Sequence, residues 1–471
     1  MGALVGVFTK RSDDTRGLIE DMLKSLRHRG NQTRITALQG RTSYSAGIGY
    51  CAHHDLDLHF ADSTKNALAL DGTLFNGAKT KQADYALRRL IRKAKPRRSL
   101  VGIMKTPGVF SVLYCQKNRL YAFRDAAGFK PLFYGRNRRL VAFASERKAL
   151  WKLGLERLRR VQPGLLYAAN PNGISRSSSM HFSRGLSDRT LTMEHSASRL
   201  ETLLKRSIQR AVSGEDRVAV AFSGGLDSSL TAVLAKERGV QVELVAVGLL
   251  GSVELRSAEN FAKQLDLPIT VEPFSRDSLE EYVRRIAWLI EEPDLMKISI
   301  AIPLHWAAEV TARRGHRVML CGQGSDELYG GYYKYSKTLD SQGRGALESE
   351  LYRSVVESHI VNYERDDQAT APFGVELRSP FTDADVIQFS LTIPSELKVK
   401  RGNDVMRKWV LRHVGQNLGL PDDIAWRRKK AIQHGTGVEN AILKLAKREG
   451  LSPDEYLKQI YAEVINMDSM P

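Results

Sequence analysis

Residues 222–230 read Phe-Ser-Gly-Gly-Leu-Asp-Ser-Ser-Leu, and they constrain the fold more than any other stretch. An apolar run, Val218 to Phe222, precedes them and reads as a buried strand; Leu230-Thr-Ala-Val-Leu-Ala follows and reads as a helix. Two glycines without Cβ let backbone N–H groups close around an anion. Ser223, Ser228 and Ser229 add hydroxyls, and the positive end of the following helix points at the same place. Asp227 would repel a phosphate unless a metal lay between them, so it reads as a Mg²⁺ ligand. A plain Ser/Gly turn would account for the glycines, but it needs neither three hydroxyls nor an acid at one spot.

The elements around this loop set the expected architecture. Ala197–Val212 is expected as a helix, Val218–Phe222 and Val242–Val247 as strands with Leu230–Glu237 helical between them, and Val318–Cys321 as a third strand. That alternation predicts an α/β fold with a doubly wound parallel sheet and a ligand beyond the strands' carboxyl ends. After about residue 340 the pattern is helical. The first ~185 residues instead alternate short apolar runs with turn signals, as at Ala46–Tyr50, Ala67–Gly72, Phe110–Tyr114 and Leu140–Ala144. They read as a β-rich layer with helices over Thr15–Leu26 and Ala83–Ala94. The polar stretch Ser178–Thr192 reads as the linker, giving domains at 1–185 and 195–471.

Composition narrows the setting. The chain has 471 residues, 42% of them hydrophobic, enough for two or three domains each with its own core. Cys51, Cys115 and Cys321 are scattered and odd in number, which argues against a disulfide framework and for the reducing cytoplasm. The amino-terminal segment lacks the basic region of a signal peptide, and no run approaches the ~18 apolar residues of a membrane span. Net charge is +18, with clusters at Arg88–Arg98 and Arg136–Arg139. A polyanion such as tRNA would suit that charge. The clusters lack interleaved aromatics, so a solvated basic face is the simpler reading.

About 95 residues beyond the loop stands Cys321-Gly-Gln-Gly-Ser-Asp-Glu-Leu-Tyr-Gly-Gly-Tyr, a second strand-to-glycine turn carrying acids. Asp326 is placed to share Mg²⁺ with Asp227, although an acidic first helical turn would favour the same residues. Asn362-Tyr-Glu-Arg-Asp-Asp and Gly374-Val-Glu-Leu-Arg-Ser-Pro-Phe-Thr-Asp read as a polar wall or as a surface ion-pair network. Trp426-Arg-Arg-Lys-Lys-Ala-Ile-Gln-His-Gly-Thr-Gly places lysines beside a glycine-rich segment, where they can neutralise charge on a transferring phosphoryl group.

The loop at 223–229 resembles the S-G-G-x-D-S pyrophosphate loop of ATP pyrophosphatases. The ordered set over roughly 195–440 resembles the synthetase domain of the glutamine-dependent asparagine synthetase family, which includes the β-lactam and carbapenam synthetases. The resemblance implies ATP-dependent amide formation through an acyl-adenylate, with AMP and PPi released. It implies that Phe222, Val247, Cys321 and Gly322 line the adenosine pocket. Ser223, Gly224, Gly225, Leu226, Asp227, Ser228 and Ser229 would hold PPi, and Asp227 and Asp326 Mg²⁺. Lys429 would stabilise charge at the reacting centre, ahead of its neighbour Lys430. Upstream, His28-Arg-Gly, Asp71-Gly-Thr-Leu-Phe-Asn, Arg124-Asp-Ala-Ala-Gly-Phe-Lys-Pro and Phe143-Ala-Ser-Glu-Arg-Lys resemble the family's glutaminase domain. That implies a four-layer αββα fold of the N-terminal-nucleophile hydrolase type.

Departures from the family are as informative. A working glutaminase of this type uses a cysteine at position 2; here Gly2 stands there. The Arg-Leu-Ser/Ala-Ile-Val stretch that grips glutamine is replaced near Gly49-Tyr-Cys-Ala-His-His-Asp, and the expected Asn-Gly-Glu is Asp71-Gly72-Thr73. The glutaminase domain is therefore expected to be inactive. Gln323 replaces a glutamate tied to forming the adenylate and deprotonating the amine; an amide is no base at pH 7, so Glu376 or Glu327 becomes the candidate. The expected reaction is asparagine formation from aspartate and free ammonia. The alternatives are a β-lactam synthetase-like or other amide ligase on a different carboxylate, and a tRNA-modifying adenylating enzyme. The family is often dimeric, and no residue of the sequence tests for a homodimer.

Overall fold

A computed structural model describes residues 1–10, 14–39, 44–54, 59–75, 96–116, 118–178, 180–184, 188–400, 407–428 and 431–467. The expected helix at Ala83–Ala94 lies outside them. Twelve of the described strands fall in the first 178 residues. They are β1 (Gly2–Lys10), β2 (Gln32–Gln39), β3 (Tyr44–Ala52), β4 (His59–Asp62), β5 (Asn66–Leu74), β6 (Gly108–Gln116), β7 (Arg119–Arg124), β8 (Phe133–Arg136), β9 (Leu140–Ala144), β10 (Arg159–Arg160), β11 (Leu165–Asn170) and β12 (Gly173–Ser178). They form two six-stranded sheets, ordered β10-β8-β9-β1-β3-β2 and β12-β11-β7-β6-β5-β4.

Alternation along the strands decides what each sheet face buries. Leu4, Phe8, Ile48 and Tyr50 of the first sheet pack with Ala67, Leu113, Cys115 and Leu120 of the second. Val5, Val7 and Cys51 point the other way, against Ile19, Met22 and Leu23 of the helix Thr15–Lys24. The outer face of the second sheet, with Leu70, Phe110 and Val112, is covered by Leu100, Ile103 and Met104 of the helix Pro96–Met104.

The remaining strands are β13 (Arg217–Ala221), β14 (Gln241–Leu249), β15 (Ile269–Phe274), β16 (Val318–Leu320) and β17 (Glu376–Arg378). They make one sheet ordered β15-β14-β13-β16-β17. Every pairing in it is parallel, as the strand–helix alternation predicts. Such a sheet buries both faces. Val218 and Val220 point to helices such as Met193–Ala211 and Trp409–Asn417, and Ala219 and Met319 to Leu279–Ile290 and Leu295–Arg313. The order reverses at β13: β14 and then β15 lie on one side of it, and β16 and then β17 on the other. In open parallel sheets such a switch point, here at the carboxyl ends of β13 and β16, is where a ligand crevice forms.

The antiparallel layers and the parallel sheet are joined by buried ion pairs at the helix Glu364–Thr370. Arg124 reaches Glu364 at 2.9 Å, Arg160 reaches it at 2.7 Å, and Lys130 reaches Asp367 at 2.8 Å. No described helix is long and apolar enough to cross a membrane.

Candidate active site

β13 ends at Ala221, and the Phe222 N–H donates to the Val245 carbonyl at 2.8 Å. The chain turns through Ser223-Gly224-Gly225 into the helix Leu226–Lys236, for which Gly225 is the N-cap. Gly224 has φ +64°, and a Cβ there would lie 2.6 Å from the Phe261 ring and 2.8 Å from the Arg427 guanidinium. Only glycine fits both demands. The serines brace the loop from inside: the Gly225 N–H donates to Ser223 Oγ at 3.3 Å, and Ser228 Oγ donates to the Gly225 carbonyl at 3.1 Å. The Ser229 hydroxyl is buried and finds no partner among the described residues. The amino end of this helix carries the unpaired N–H groups that suit an anion.

The two predicted metal carboxylates come together. Lys408 Nζ lies 2.6 Å from Asp227 Oδ2, 2.6 Å from Asp326 Oδ1 and 2.9 Å from Ser325 Oγ. Two carboxylates converging on one cation beside a phosphate loop suit a hard metal ion carried in on a nucleotide. A nucleotide-bound Mg²⁺ typically takes one or two protein carboxylates, which is the number offered here. The donor set therefore fits Mg²⁺. Lys408 was not foreseen. Its residue lies in the left-handed region at φ 57°, at a cost of roughly 1–3 kcal/mol, and its side chain is buried. In sequence it is one more cation before a helix, which carries no signal of its own. Arg427 adds a second cation: its Nη1 donates to the Gly224 carbonyl at 2.8 Å, and its guanidinium stacks 4.4 Å from the Phe261 ring centre.

Phe222, Val247, Cys321 and Gly322 all stand at or beyond the carboxyl ends of β13, β14 and β16. The first three are buried, and a Cβ at Gly322 would lie 2.6 Å from the Asp227 Cβ. The second glycine turn thus presses directly on the first. Burial pushes the Cys321 thiol up to about 12, so it stays neutral.

Gln323 follows Gly322 and joins the same crevice. Its Nε2 donates to Asp366 Oδ2 at 2.6 Å, and its main-chain carbonyl accepts from Ser379 Oγ at 2.6 Å. Burial raises the Asp366 carboxyl while the adjoining Arg365 opposes the shift. Glu327 is buried beside Asp326 and accepts from Tyr332 at 2.5 Å and Asn362 at 2.7 Å. Burial, then Asp326, push its carboxyl up.

Glu376 does not join them, which corrects its assignment as the base. It begins β17 opposite Val318, so it lies at the amino end of the sheet. Three residues of strand, about 10 Å, separate it from Ser379 at the crevice. Arg378 and Thr73 hold it, at 3.1 and 2.9 Å. Although burial opposes it, the Arg378 guanidinium holds the Glu376 carboxyl at about 2. An ionised, doubly bonded carboxylate there braces the two halves of the molecule. Lys429 and Lys430 lie outside the described residues.

The position matched to the nucleophile is filled. A Cβ at Gly2 would lie 2.2 Å from the Cys51 carbonyl oxygen and 2.7 Å from the Tyr50 ring and hydroxyl. The Gly2 N–H donates to Asp71 Oδ1 at 3.0 Å. Lys130 lies 3.9 Å from Asp71 and 2.8 Å from Asp367, and Arg29 bonds Glu146, Asp367 and the Gly2 carbonyl. Position 2 thus has no room for a side chain as the backbone stands, and the charged groups around it pair with one another.

A nucleotide-type crevice at the switch point of a parallel sheet, with two carboxylates behind a glycine–serine loop, defines an α/β enzyme of the ATP-pyrophosphatase type. The asparagine synthase family model matches residues 199–344 and 335–463, and the glutamine amidotransferase domain model matches 66–152. A putative asparagine synthetase (glutamine-hydrolyzing) of Methanocaldococcus jannaschii is 35% identical over 404 residues, covering 76% of this chain and 74% of that protein. Asparagine synthetase B of Escherichia coli is 24% identical, covering 93% and 83%. Asparagine synthetase 2 of Oryza sativa is 29% identical, and there the chain spans 57% of the relative's length. The chain belongs to the asparagine synthase family and is a ligase that forms carbon–nitrogen bonds.

Proposed function

We propose that this protein couples ATP cleavage to amide formation, activating a carboxylate as its acyl-adenylate and passing the acyl group to ammonia. Aspartate is the favoured acid and asparagine the product. The observation that carries this is the contrast at the two sites: Asp227 and Asp326 converge on one cation beside the loop, while no side chain fits at position 2. Residues 1–185 form a glutaminase-like domain of the four-layer αββα type without glutaminase activity, and 195–471 form the synthetase domain.

Phe222, Val247 and the Cys321-Gly322 backbone receive the adenosine; the 223–229 loop receives the departing PPi. Asp227 and Asp326 would hold Mg²⁺, which when bound neutralises charge on the phosphates. Lys408 and Arg427 supply fixed positive charge beside the loop. Lys429, at the position of the family's charge-stabilising lysine, acts on the reacting phosphoryl group. Glu327, with its raised carboxyl, replaces Glu376 as the group placed to take a proton.

A different carboxylate, including one that closes a lactam, is the second reading. The amide of Gln323, paired with Asp366 where relatives hold a glutamate, favours it. Exchange of labelled PPi into ATP, run with a panel of carboxylates and no amine, tests the first step. Exchange that requires aspartate supports the first reading, exchange with another acid only supports the second, and none with any acid overturns both.

A further inference from the structure

The Gln323–Asp366 contact fixes more than a side-chain position. Arg365 holds Asp366 Oδ1 at 2.6 Å, so the carboxylate's other oxygen is the one that meets Gln323. A carboxylate oxygen accepts, and only the NH₂ end of an amide can donate to it. Nε2 therefore faces the fully buried Asp366, and Gln323 Oε1 faces away. Among the described residues no donor reaches Oε1. Gln323 itself is half-buried and directly follows Gly322, whose Cβ position meets Asp227, which sets it beside the loop.

The helix that carries Asp366 is clamped from behind. Asp367, the next residue, accepts from Arg29 at 2.9 Å and from Lys130 at 2.8 Å, both on the antiparallel layers. Adjacent helical residues point about 100° apart. One side of the turn is thus anchored to the filled site and the other aims Gln323.

We propose that Asp366 is a positioning residue that turns the Gln323 carbonyl oxygen toward the incoming amine, so that Oε1 accepts an amine N–H and orients the lone pair at the acyl carbon. The amide takes no proton; it holds the nucleophile. This rests on the amide-forming reading above. The filled glutaminase-like region gains a role from it, as the rigid backing of a synthetase residue.

Three variants test it: Asp366→Asn, Gln323→Glu and the two together. Gln323→Glu sets a carboxylate against the buried Asp366 and is expected to lower the melting temperature. Adding Asp366→Asn restores a donor–acceptor pair of reversed polarity and recovers it. In Asp366→Asn, Arg365 keeps the side-chain oxygen, so the NH₂ end faces Gln323 and draws Oε1 away from the amine; the KM for ammonium is expected to rise about tenfold, the scale of one hydrogen bond. The amine-free ATP–PPi exchange is expected to stay within about twofold, since the adenylation step precedes the amine. A double variant no more stable than Gln323→Glu, or an ammonium KM unmoved in Asp366→Asn, overturns the proposal. Absence of exchange in the unmodified protein with every acid overturns the amide-forming reading instead, and the melting comparison still decides whether the pair exists.

Discussion

The carboxyl ends of β13 and β16 and the region around Gly2 both look, in sequence, like sites, and the structure treats them in opposite ways. At the first, glycines let two strand-to-helix turns close on each other, and Asp227 and Asp326 share the Lys408 cation. At the second, Tyr50 fills the space and Asp71, Lys130, Arg29 and Asp367 neutralise one another. The difference lies in the backbone: position 2 admits no side chain, whereas the loop at 223–229 turns into the amino end of a helix. Motif similarity alone does not distinguish these, because both keep much of the same framework.

The largest effect should come from emptying the filled region. Lys130→Met leaves Asp71 and Asp367 short of a counter-charge, and removing one partner of a buried pair costs about 3–5 kcal/mol. Denaturant unfolding should show that loss; a stable Lys130→Met protein would mean the region tolerates an unpaired charge, as an open site does. Next is the open end. Asp227→Asn should lower carboxylate-dependent ATP–PPi exchange by on the order of 10²-fold, the usual scale for a group acting on transition-state charge, with the melting temperature largely kept. A small kinetic effect would mean the two acids are structural.

Gly2→Cys adds a side chain where there is no room, and overpacking of this kind costs about 1–3 kcal/mol. No glutamate should be released from glutamine. Release of glutamate would show that the region is a site missing only its thiol. The smallest effect is acid sensitivity near the helix that joins the two regions. His305 donates from Nδ1 to the Ala369 carbonyl at 2.7 Å, and His359 to that of Val356 at 2.9 Å. Burial holds both at about 4. The unfolded chain takes up these protons below about pH 6.5 and the folded chain only near 4, so stability is lost as pH falls through that window. The melting temperature should drop by a few degrees there, less steeply in His305→Gln.

The parallel sheet, its reversal at β13 and the loop at 223–229 were legible because each has a local signature: apolar runs of strand length, paired glycines, hydroxyls at fixed spacing. The convergence of Asp227 and Asp326 was legible as two glycine turns that follow strands. What escaped depends on register and on long-range contact. Glu376 sits in a motif that borders the site, but its place at the start of a three-residue strand puts it at the wrong end. Lys408 meets Asp227 across 181 residues of chain, and nothing local to either announces it. Tyr50 reads as an ordinary strand residue until its ring is found in the space beside Gly2.

The nitrogen source tests the contrast most directly. The enzyme, with ATP, Mg²⁺ and the acid that supports exchange, is given either ¹⁵N-ammonium or glutamine labelled at its amide, and the product amide is read by mass. The account predicts label from ammonium, none from glutamine, and no glutamate. Labelled product from glutamine, with matching glutamate, would contradict it, because the region around Gly2 would then be a working site.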